Sequence, residues 1–197
     1  MFTFDTPTAV KLGHVNLRAE KHGEQSAPAI DVKFVRQAGN DALAMLHPGL
    51  KDALYFRDEQ TAAQGQIAGV PEITPNLRFP KLGSLAWDLE MSGCRVVIDY
   101  GLGDELSNIV LADCKVNQFR VECMEGGTVE ITFRVQTSNF PSGALDKLAG
   151  KLDQETKITI DGPSGQPAQE PLPESKPKGR AKPAQLTPEQ ALAASVH

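Results

Sequence analysis

The chain has 197 residues, of which 40% are hydrophobic and 23% are charged, and these values are ordinary for a folded protein with a sizeable core. Its formal net charge of −5 arises before Pro163, because the residues from Pro163 onward carry a slight basic excess. An acidic body excludes the uniformly basic surface of a typical non-specific DNA-binding protein, although it leaves room for a local basic strip.

The first predicted elements form a unit that recurs later in the chain. Residues 14–54 and 115–152 both open on Val-Asn and continue as a strand, a turn, a second strand and a short amphipathic helix. The second strands, residues 30–34 and 129–133, alternate apolar and polar side chains, so one face packs and the other is solvated. The helices share leucines at the same spacing, namely Leu43, Leu46 and Leu50 in the first copy and Leu145, Leu148 and Leu152 in the second.

The first copy falls within residues 1–56. We predict a strand over residues 10–20, a polar hairpin loop over residues 21–28 and a second strand over residues 30–36. The helix that follows has two candidate caps, Asn40 and Asp41, and an interruption at Pro48.

A connection and an extra hairpin are predicted between the copies. Residues 57–77 are rich in Gln, Ala, Gly and Pro and lack periodicity, which is typical of a long connecting segment. After it, residues 85–90 and 95–100 are predicted to pair around the turn Met91-Ser92-Gly93. This extra hairpin and the second copy together make up residues 78–162.

The second copy follows the same plan. Strand structure is expected over residues 108–122 with a break near residues 115–117, and the Gly126-Gly127 turn leads into a strand over residues 128–136. Ser142 is a candidate cap for the second helix, and residues 157–161 form a last short strand. The fold class that follows is mainly β (α+β): a pseudo-twofold duplicated strand–strand–helix unit, arranged as a β-sandwich or as paired small barrels.

The composition changes in residues 163–197, which contain half of the chain's 14 prolines. Few apolar residues lie there, so we predict a disordered tail. Residues 187–194 have the cap, first-turn proline and helix formers of a short terminal helix. That helix is a candidate for docking on a partner, and its apolar contacts would come from Leu186, Leu192 and Val196.

No motif in the chain predicts catalysis. Gly101-Leu102-Gly103 follows an apparent strand, but the third glycine of the dinucleotide-binding fingerprint is absent. The histidines do not stand at metal-ligand spacing; they are His14, His22, His47 and His197. We therefore predict a non-enzymatic protein with no catalytic residue, no metal and no cofactor.

The cysteines and the N-terminus indicate a cytoplasmic protein. Cys94, Cys114 and Cys123 are odd in number and form no Cys-x-x-Cys pair, so buried, reduced thiols are expected, with a Cys114–Cys123 link as the alternative. The N-terminus has no basic region followed by an apolar run, so no signal peptide is expected. No apolar stretch approaches the roughly 18–20 residues that a membrane-spanning helix needs.

Binding is the class of function that remains. Lys33 and Arg134 hold matching positions on the polar faces of the two copies, and Arg18 and Arg120 correspond in the preceding strands. If the copies pack side by side, these cations align along one sheet and form a nucleic-acid-binding surface. The predicted nucleic-acid-binding residues are Arg18, Lys33, Arg36, Lys115, Phe119, Arg120 and Arg134.

Aromatic stacking is the second component of such a surface. Phe119 or Tyr100 could stack on the bases of a single strand, as in sequence-tolerant single-strand binders. The alternative is a solvated sheet face on which Asp31, Glu122 and Glu130 neutralise the cations, because opposite charges commonly pair across neighbouring strands.

Three segments carry a resemblance to a known group of proteins. They read AIDVKF over residues 29–34, SNIVLADCKVN over residues 107–117 and EGGTVEI over residues 125–131. The chain resembles small uncharacterised proteins of tailed phages and prophages over about residues 10–160. The resemblance transfers no catalytic motif, and it implies an accessory role linked to recombination or replication.

Three functional hypotheses follow. The first is a phage accessory protein that binds single-stranded DNA or assists proteins that do. The second is a protein-binding inhibitor of a host defence or nucleic-acid-processing factor, since an acidic surface can cover a basic face. The third is a virion assembly component, for which a homo-oligomer is expected. Oligonucleotide binding, a stable protein partner and a large assembled species distinguish the three.

Overall fold

Six antiparallel strands close into one barrel in the computed structural model of the chain. The structure describes residues 2–22, 25–57, 74–103 and 107–163. The strands are β1 (Phe4–His22), β2 (Gln25–Gly39), β3 (Tyr55–Phe56), β4 (Asn76–Leu77), β5 (Leu85–Trp87), β6 (Met91–Ile98), β7 (Ile109–Met124), β8 (Thr128–Thr137) and β9 (Glu155–Asp161). The short helices are the 3-10 helix η1 (Asn40–Met45) and the α-helices α1 (Leu50–Leu54) and α2 (Ala144–Gly150).

The barrel closes in the order β7, β6, β9, β1, β2, β8 and back to β7, and each neighbouring pair is antiparallel. β5 pairs with β7 beyond the end of β6, and β3 and β4 form a separate two-stranded sheet. The prediction of a mainly β fold is confirmed. A single barrel takes the place of the sandwich or the two small barrels.

The two copies of the repeated unit share this barrel. β1 and β2 form the first hairpin and β7 and β8 the second, and each hairpin is followed by short helices. β2 pairs with β8 from Ile30 opposite Thr137 to Gly39 opposite Thr128. A lone hairpin cannot bury its apolar face in water. Pairing the copies along β2 and β8 merges the two apolar faces, and β6 and β9 complete the ring.

Five phenylalanines fill one part of the barrel core. The rings of Phe2 and Phe119 meet edge to face at 4.8 Å, and those of Phe119 and Phe133 stack at 6.0 Å. Phe4 and Phe34 also contact Phe133. Each such pair is worth roughly 0.5–1.5 kcal/mol beyond the area that it buries. Since Phe2 and Phe4 precede the predicted strand over residues 10–20, the sequence-based prediction placed the start of β1 too late.

The hairpin between β1 and β2 is tighter than predicted. Lys21 pairs with Ser26 and Ala19 pairs with Pro28, so most of the predicted loop over residues 21–28 is strand. Pro28 cannot donate a backbone hydrogen bond, and it is accommodated because the pairing of β2 with β8 begins only at Ile30.

The extra hairpin over residues 85–100 is not present. β5 and β6 do not pair with each other; both pair with β7, where β5 meets residues 119–121 and β6 meets residues 109–116. Met91, Ser92 and Gly93 belong to β6 instead of forming a turn. The two strands lie end to end along β7, so alternation in the sequence identified the strands but not their partner.

The predicted helix caps are also wrong. The residue before η1 is Gly39 and the residue before α2 is Gly143, and neither helix has a side-chain cap. Asn40 lies inside η1, where its Nδ2 donates to the carbonyl of Thr74 at 2.8 Å. Ser142 lies one position too early to cap α2.

The leucine match between the copies is only partial. Leu43, Leu50 and Leu148 are buried, whereas Leu152 lies beyond α2 and is 46% exposed. Pro48 separates η1 from α1, in agreement with the predicted interruption.

The three cysteines are free thiols. Cys94 and Cys114 are buried and lie opposite each other on β6 and β7, and burial raises the pKa of the Cys114 thiol to about 12. Cys114 and Cys123 lie on the same strand, nine positions apart, so the alternative link between them is excluded.

Two predicted segments fall largely outside the described residues. The ends of the predicted connection are visible, because Tyr55 pairs with Leu77 in the small β3–β4 sheet. Residues 58–73 are outside the description. The same holds for residues 164–197, which contain the predicted tail, its terminal helix and the docking residues Leu186, Leu192 and Val196.

Candidate nucleic-acid interface

The outer face of β1, β2, β8 and β7 carries rows of polar side chains. His14 lies opposite Lys33, Lys33 opposite Arg134, and Arg134 opposite Asn117. The structure thus places Lys33 and Arg134, the matched cations of the two copies, side by side. The next row along the strands contains Asn16, Asp31, Gln136 and Lys115.

Two bulges create this face. Gly13 is an extra residue in β1 between Leu12 and His14, and because of it the side chain of His14 points to the outer face of the sheet. Gln118 has a positive φ of 53° and is the extra residue in β7 opposite β8. Beyond it, Phe119 points into the core while Arg120 is exposed on the outer face.

Asp31 is the anionic centre of the face. Its Oδ1 accepts from Arg18 Nε at 2.9 Å and from Gln136 Nε2 at 3.0 Å, and its Oδ2 lies 3.9 Å from Arg134. Burial raises the pKa of the Asp31 carboxyl, but the hydrogen bonds from Arg18 and Gln136 outweigh this effect and hold the pKa below its ordinary value. Asp31 is therefore ionised at neutral pH and offsets part of the positive charge around it.

Arg134 is held in place by neutral partners as well. Its Nε donates to Asn117 Oδ1 at 3.2 Å and its guanidinium donates to Gln136 Oε1 at 3.2 Å. Asn117 in turn donates to Gln136 at 3.0 Å. This network fixes the guanidinium against the sheet, so a ligand would meet a preorganised cation.

A groove of about 280 Å³ lies over these residues. We call it the outer groove; its cationic lining comes from Lys33, Arg120 and Arg134, and His14 lies beside them. Lys33 and Arg120 are both exposed, and in the described parts of the chain neither makes an ion pair. Arg120 and Lys33 therefore supply positive charge that no acidic side chain in the described ranges neutralises through an ion pair.

The outer groove continues at both ends into wider depressions. On one side it shares Arg120 and Arg134 with a depression of about 450 Å³ that reaches Trp87, Asp88 and Glu90. On the other side it shares His14 and Lys33 with a depression of about 760 Å³. The acidic residues at that second end are Glu130, Asp153 and Glu155. The path is consequently basic in the middle and acidic towards each end.

Not every predicted binding residue belongs to the outer groove. Arg36 points to the opposite face of β2, where its guanidinium lies 4.9 Å from the ring of Phe4 and donates to Met45 Sδ at 3.2 Å. Burial lowers the pKa of Arg36. Phe119 is 1% exposed within the aromatic core, so it cannot stack on a base.

Arg18 and Lys115, the other predicted cations, lie at the margin of the outer groove. Arg18 joins Asp31 and Glu20, and Lys115 pairs with Glu90 at 2.7 Å, a contact that lowers the pKa of Glu90. Tyr100 lies elsewhere, with Lys147 and Lys151 within about 5.5 Å of its ring.

Sequence reasoning missed Trp87 and His14 as groove residues. Trp87 lies on the short strand β5 directly opposite Phe119, so its indole shares the inward side of Phe119, packs against the core and lies 6.3 Å from the ring of His47, although the residue also borders the neighbouring depression. A lone tryptophan next to a basic strand was the available signal for Trp87. His14 had no usable signal, because its outward direction depends on the bulge at Gly13.

Two further kinds of feature are absent from the described residues. In the ranges that the structure describes, no group of three or more histidine, cysteine or acidic side chains could hold a metal ion. No helix within those ranges has the length and apolar character to cross a membrane.

Comparisons with known proteins give weak relatives. The chain is 27% identical over 165 residues to the chaperone protein DnaK of Deinococcus radiodurans, a match that covers 79% of this chain and 25% of that protein. It is 25% identical over 154 residues to the chaperone protein DnaK of Deinococcus deserti, covering 74% and 24%. The chain thus spans about a quarter of the length of these relatives. No family model matches the chain, and no solved structure matches it significantly.

Proposed function

We propose that the chain is a non-enzymatic accessory protein that binds single-stranded nucleic acid in its outer groove. In keeping with the resemblance of its sequence to phage proteins, it would act in the host cytoplasm, on single-stranded DNA or on the recombination or replication proteins that handle it. The observation that carries the proposal is a pair of exposed cations, Lys33 and Arg120, on either side of the immobilised guanidinium of Arg134; neither of the pair makes an ion pair with a residue that the structure describes.

Trp87 does not replace Phe119 as a stacking residue. It lines the depression that shares Arg120 and Arg134 with the outer groove, but it lies opposite Phe119 on β7 and its half-buried indole packs against the core. Binding of a strand in the outer groove would therefore rest mainly on contacts between the cations and the phosphates, which weaken as the salt concentration rises.

The acidic ends of the path limit the length of the bound strand. Phosphates that continue beyond the basic middle would approach Asp88 and Glu90 on one side and Glu130 and Glu155 on the other. Like charges repel over roughly 10 Å at moderate salt. A short segment of a few nucleotides is the expected footprint, and this agrees with the net acidic charge of the chain.

Fluorescence anisotropy of labelled oligonucleotides tests the proposal. A 30-nucleotide single strand, its duplex and an RNA of the same sequence would be titrated at low and near-physiological salt. We expect salt-sensitive binding of a single strand that is lost in the Lys33→Glu/Arg120→Glu double variant. The matched control is Arg95→Glu/Lys157→Glu, which places the same charge changes around a different depression of the barrel. Equal loss in both variants, or no binding at low salt, would refute the proposal.

Protein binding is the second candidate function. It is favoured by an exposed apolar segment, in which Phe79 is 57% and Leu82 is 41% exposed, flanked by the cations Arg78 and Lys81. The DnaK relatives are named as chaperones, which agrees with a protein ligand. If oligonucleotides do not bind, a Phe79→Ser/Leu82→Ser variant becomes the control for a search for a host or phage protein partner.

A further inference from the structure

The β1–β2 hairpin extends beyond the barrel and has an open edge. β9 covers β1 only up to Lys11, and a final contact joins the N–H of Leu12 to the carbonyl of Gln154 at 3.0 Å. From Val15 to Lys21, β1 pairs with β2 on one side and with no described strand on the other. β8, by contrast, is paired with β2 along its whole length and with β7 along most of it.

The two edges of this extension differ in how well they are protected against pairing with another chain. On the β2 edge Pro28 removes a backbone donor, which discourages pairing with another chain. The β1 edge has no proline from Val15 to Lys21, and Leu17 is 52% exposed on it. An unprotected edge of this kind is a template for strand addition.

The pairing of Ala19 with Pro28 indicates which backbone groups face the open edge. Because Pro28 has no N–H, this pair suits a position at which the backbone groups of both residues point away from each other. The N–H and C=O of Ala19 then point outward. Backbone groups alternate in direction along a strand, so those of Leu17 and Lys21 point outward with them.

We propose that the chain forms a symmetric dimer in which the β1 edges of two copies pair antiparallel around Ala19. In this register Arg18 of each copy faces Glu20 of the other, and Leu17 faces the aliphatic stem of Lys21. The surface is thus self-complementary, as a twofold interface requires. The occupant of the open edge is a second copy of this chain.

Neighbouring registers are less favourable. A twofold axis at Arg18 or at Glu20 brings two like charges face to face, which destabilises cross-strand pairs. An axis at Leu17 places Lys21 of the second copy opposite Gly13, next to the segment of β1 that Gln154 already occupies. The Ala19 register avoids both problems.

Light scattering coupled to size-exclusion chromatography gives the first test on the full chain. We expect a concentration-dependent dimer for the wild type and for Ala19→Val, which keeps the N–H and favours a strand. Ala19→Pro removes the outward donor without removing a bond to β2, so it should give a monomer. A wild-type monomer at every concentration, or an unchanged dimer in Ala19→Pro, would overturn the proposal.

Cysteine cross-linking tests the register independently of the fold of the proline variant. In a Cys123→Ser background, Ala19→Cys is expected to give a reducible dimer under mild oxidation, because residues in a hydrogen-bonded pair have Cα atoms about 5.5 Å apart. Leu17→Cys is the matched control and should not cross-link to itself, since its counterpart lies about 13 Å away along the strands. Equal cross-linking at both positions, or cross-linking at Leu17→Cys alone, would contradict the proposed pairing.

Discussion

Lys33 and Arg134 lie directly opposite each other on β2 and β8, although like charges in that position destabilise a sheet. The structure tolerates the pair because Asp31, one row along, lies 3.9 Å from Arg134 and accepts from Arg18 at 2.9 Å. The carboxylate compensates Arg134 and Arg18, whereas Lys33 has no ion-pair partner among the described side chains. Lys33 and Arg134 therefore repel each other in the outer groove, and an anionic ligand bound there would reduce this repulsion.

Replacing Asp31 by Asn should lower the stability of the fold and raise the affinity for a single strand. The variant leaves Arg18 and Arg134 without their buried counter-ion, so we expect the free energy of unfolding to fall by roughly 1–3 kcal/mol. The affinity for a single strand should rise, because one negative charge leaves the groove. Chemical denaturation and anisotropy measure the two effects. Asp161→Asn, which removes an exposed partner of Arg95, is the control and should change stability by less than about 0.5 kcal/mol. A stable variant with lower affinity would contradict this account of Asp31.

The contribution of Asp31 should also depend on pH in a defined direction. Its pKa in the folded protein lies below the ordinary value of 3.8, so the unfolded chain takes up a proton first as the pH falls. The stabilisation by Asp31 is present above pH 4 and is lost as the pH falls through the folded-state pKa. The stability difference between wild type and Asp31→Asn should therefore be constant from pH 5 to 7 and shrink below about pH 4. A difference that instead grows in acid would show that another group is responsible.

The sequence identified the strands and the matched cations because alternation and spacing are local properties. It could not give the direction of every side chain. One extra residue at Gln118 reverses inward and outward positions for the rest of β7, so Phe119 was assigned to the surface and belongs to the core. Arg36 is predicted on the cationic face because it is close to Lys33 in the sequence. The two residues are three positions apart on β2, so their side chains point to opposite faces of the sheet. Closure into one barrel depends on long-range pairing, which no local pattern reports.

Phe119 and Trp87 should differ in how much stability they contribute. Phe119→Ala empties part of the aromatic core and should cost roughly 3–5 kcal/mol of stability. Trp87→Ala removes a half-buried side chain at the edge of the core, so it should cost less, and single-strand binding should stay close to that of the wild type because the indole does not face the outer groove. Thermal melts and anisotropy of both variants provide the comparison. Loss of binding in Trp87→Ala with little loss of stability would contradict this placement of the indole.

Tyr55 should anchor the β3–β4 sheet to the second hairpin. Its hydroxyl oxygen lies 2.8 Å from the carbonyl of Thr128 and 3.1 Å from that of Met124, and burial raises its pKa. Tyr55→Phe leaves these part-buried carbonyls without their donor, and we expect a loss of about 1–2 kcal/mol. Tyr100→Phe is the control, because in the described residues the hydroxyl of Tyr100 makes no hydrogen bond. Urea denaturation of the two variants measures the difference, and equal effects would contradict the role of Tyr55.

The single tryptophan offers a direct readout of where a strand binds. Trp87 borders the depression that shares Arg120 and Arg134 with the outer groove, so an unlabelled oligothymidine held by these cations should change its fluorescence. The change should saturate with oligomers of a few nucleotides, since the acidic residues at both ends of the path disfavour further phosphates. The Lys33→Glu/Arg120→Glu variant should lose this response while Arg95→Glu/Lys157→Glu keeps it. An affinity that rises steadily with length would refute the short footprint but retain the groove, whereas binding without a fluorescence change would place the strand away from this depression.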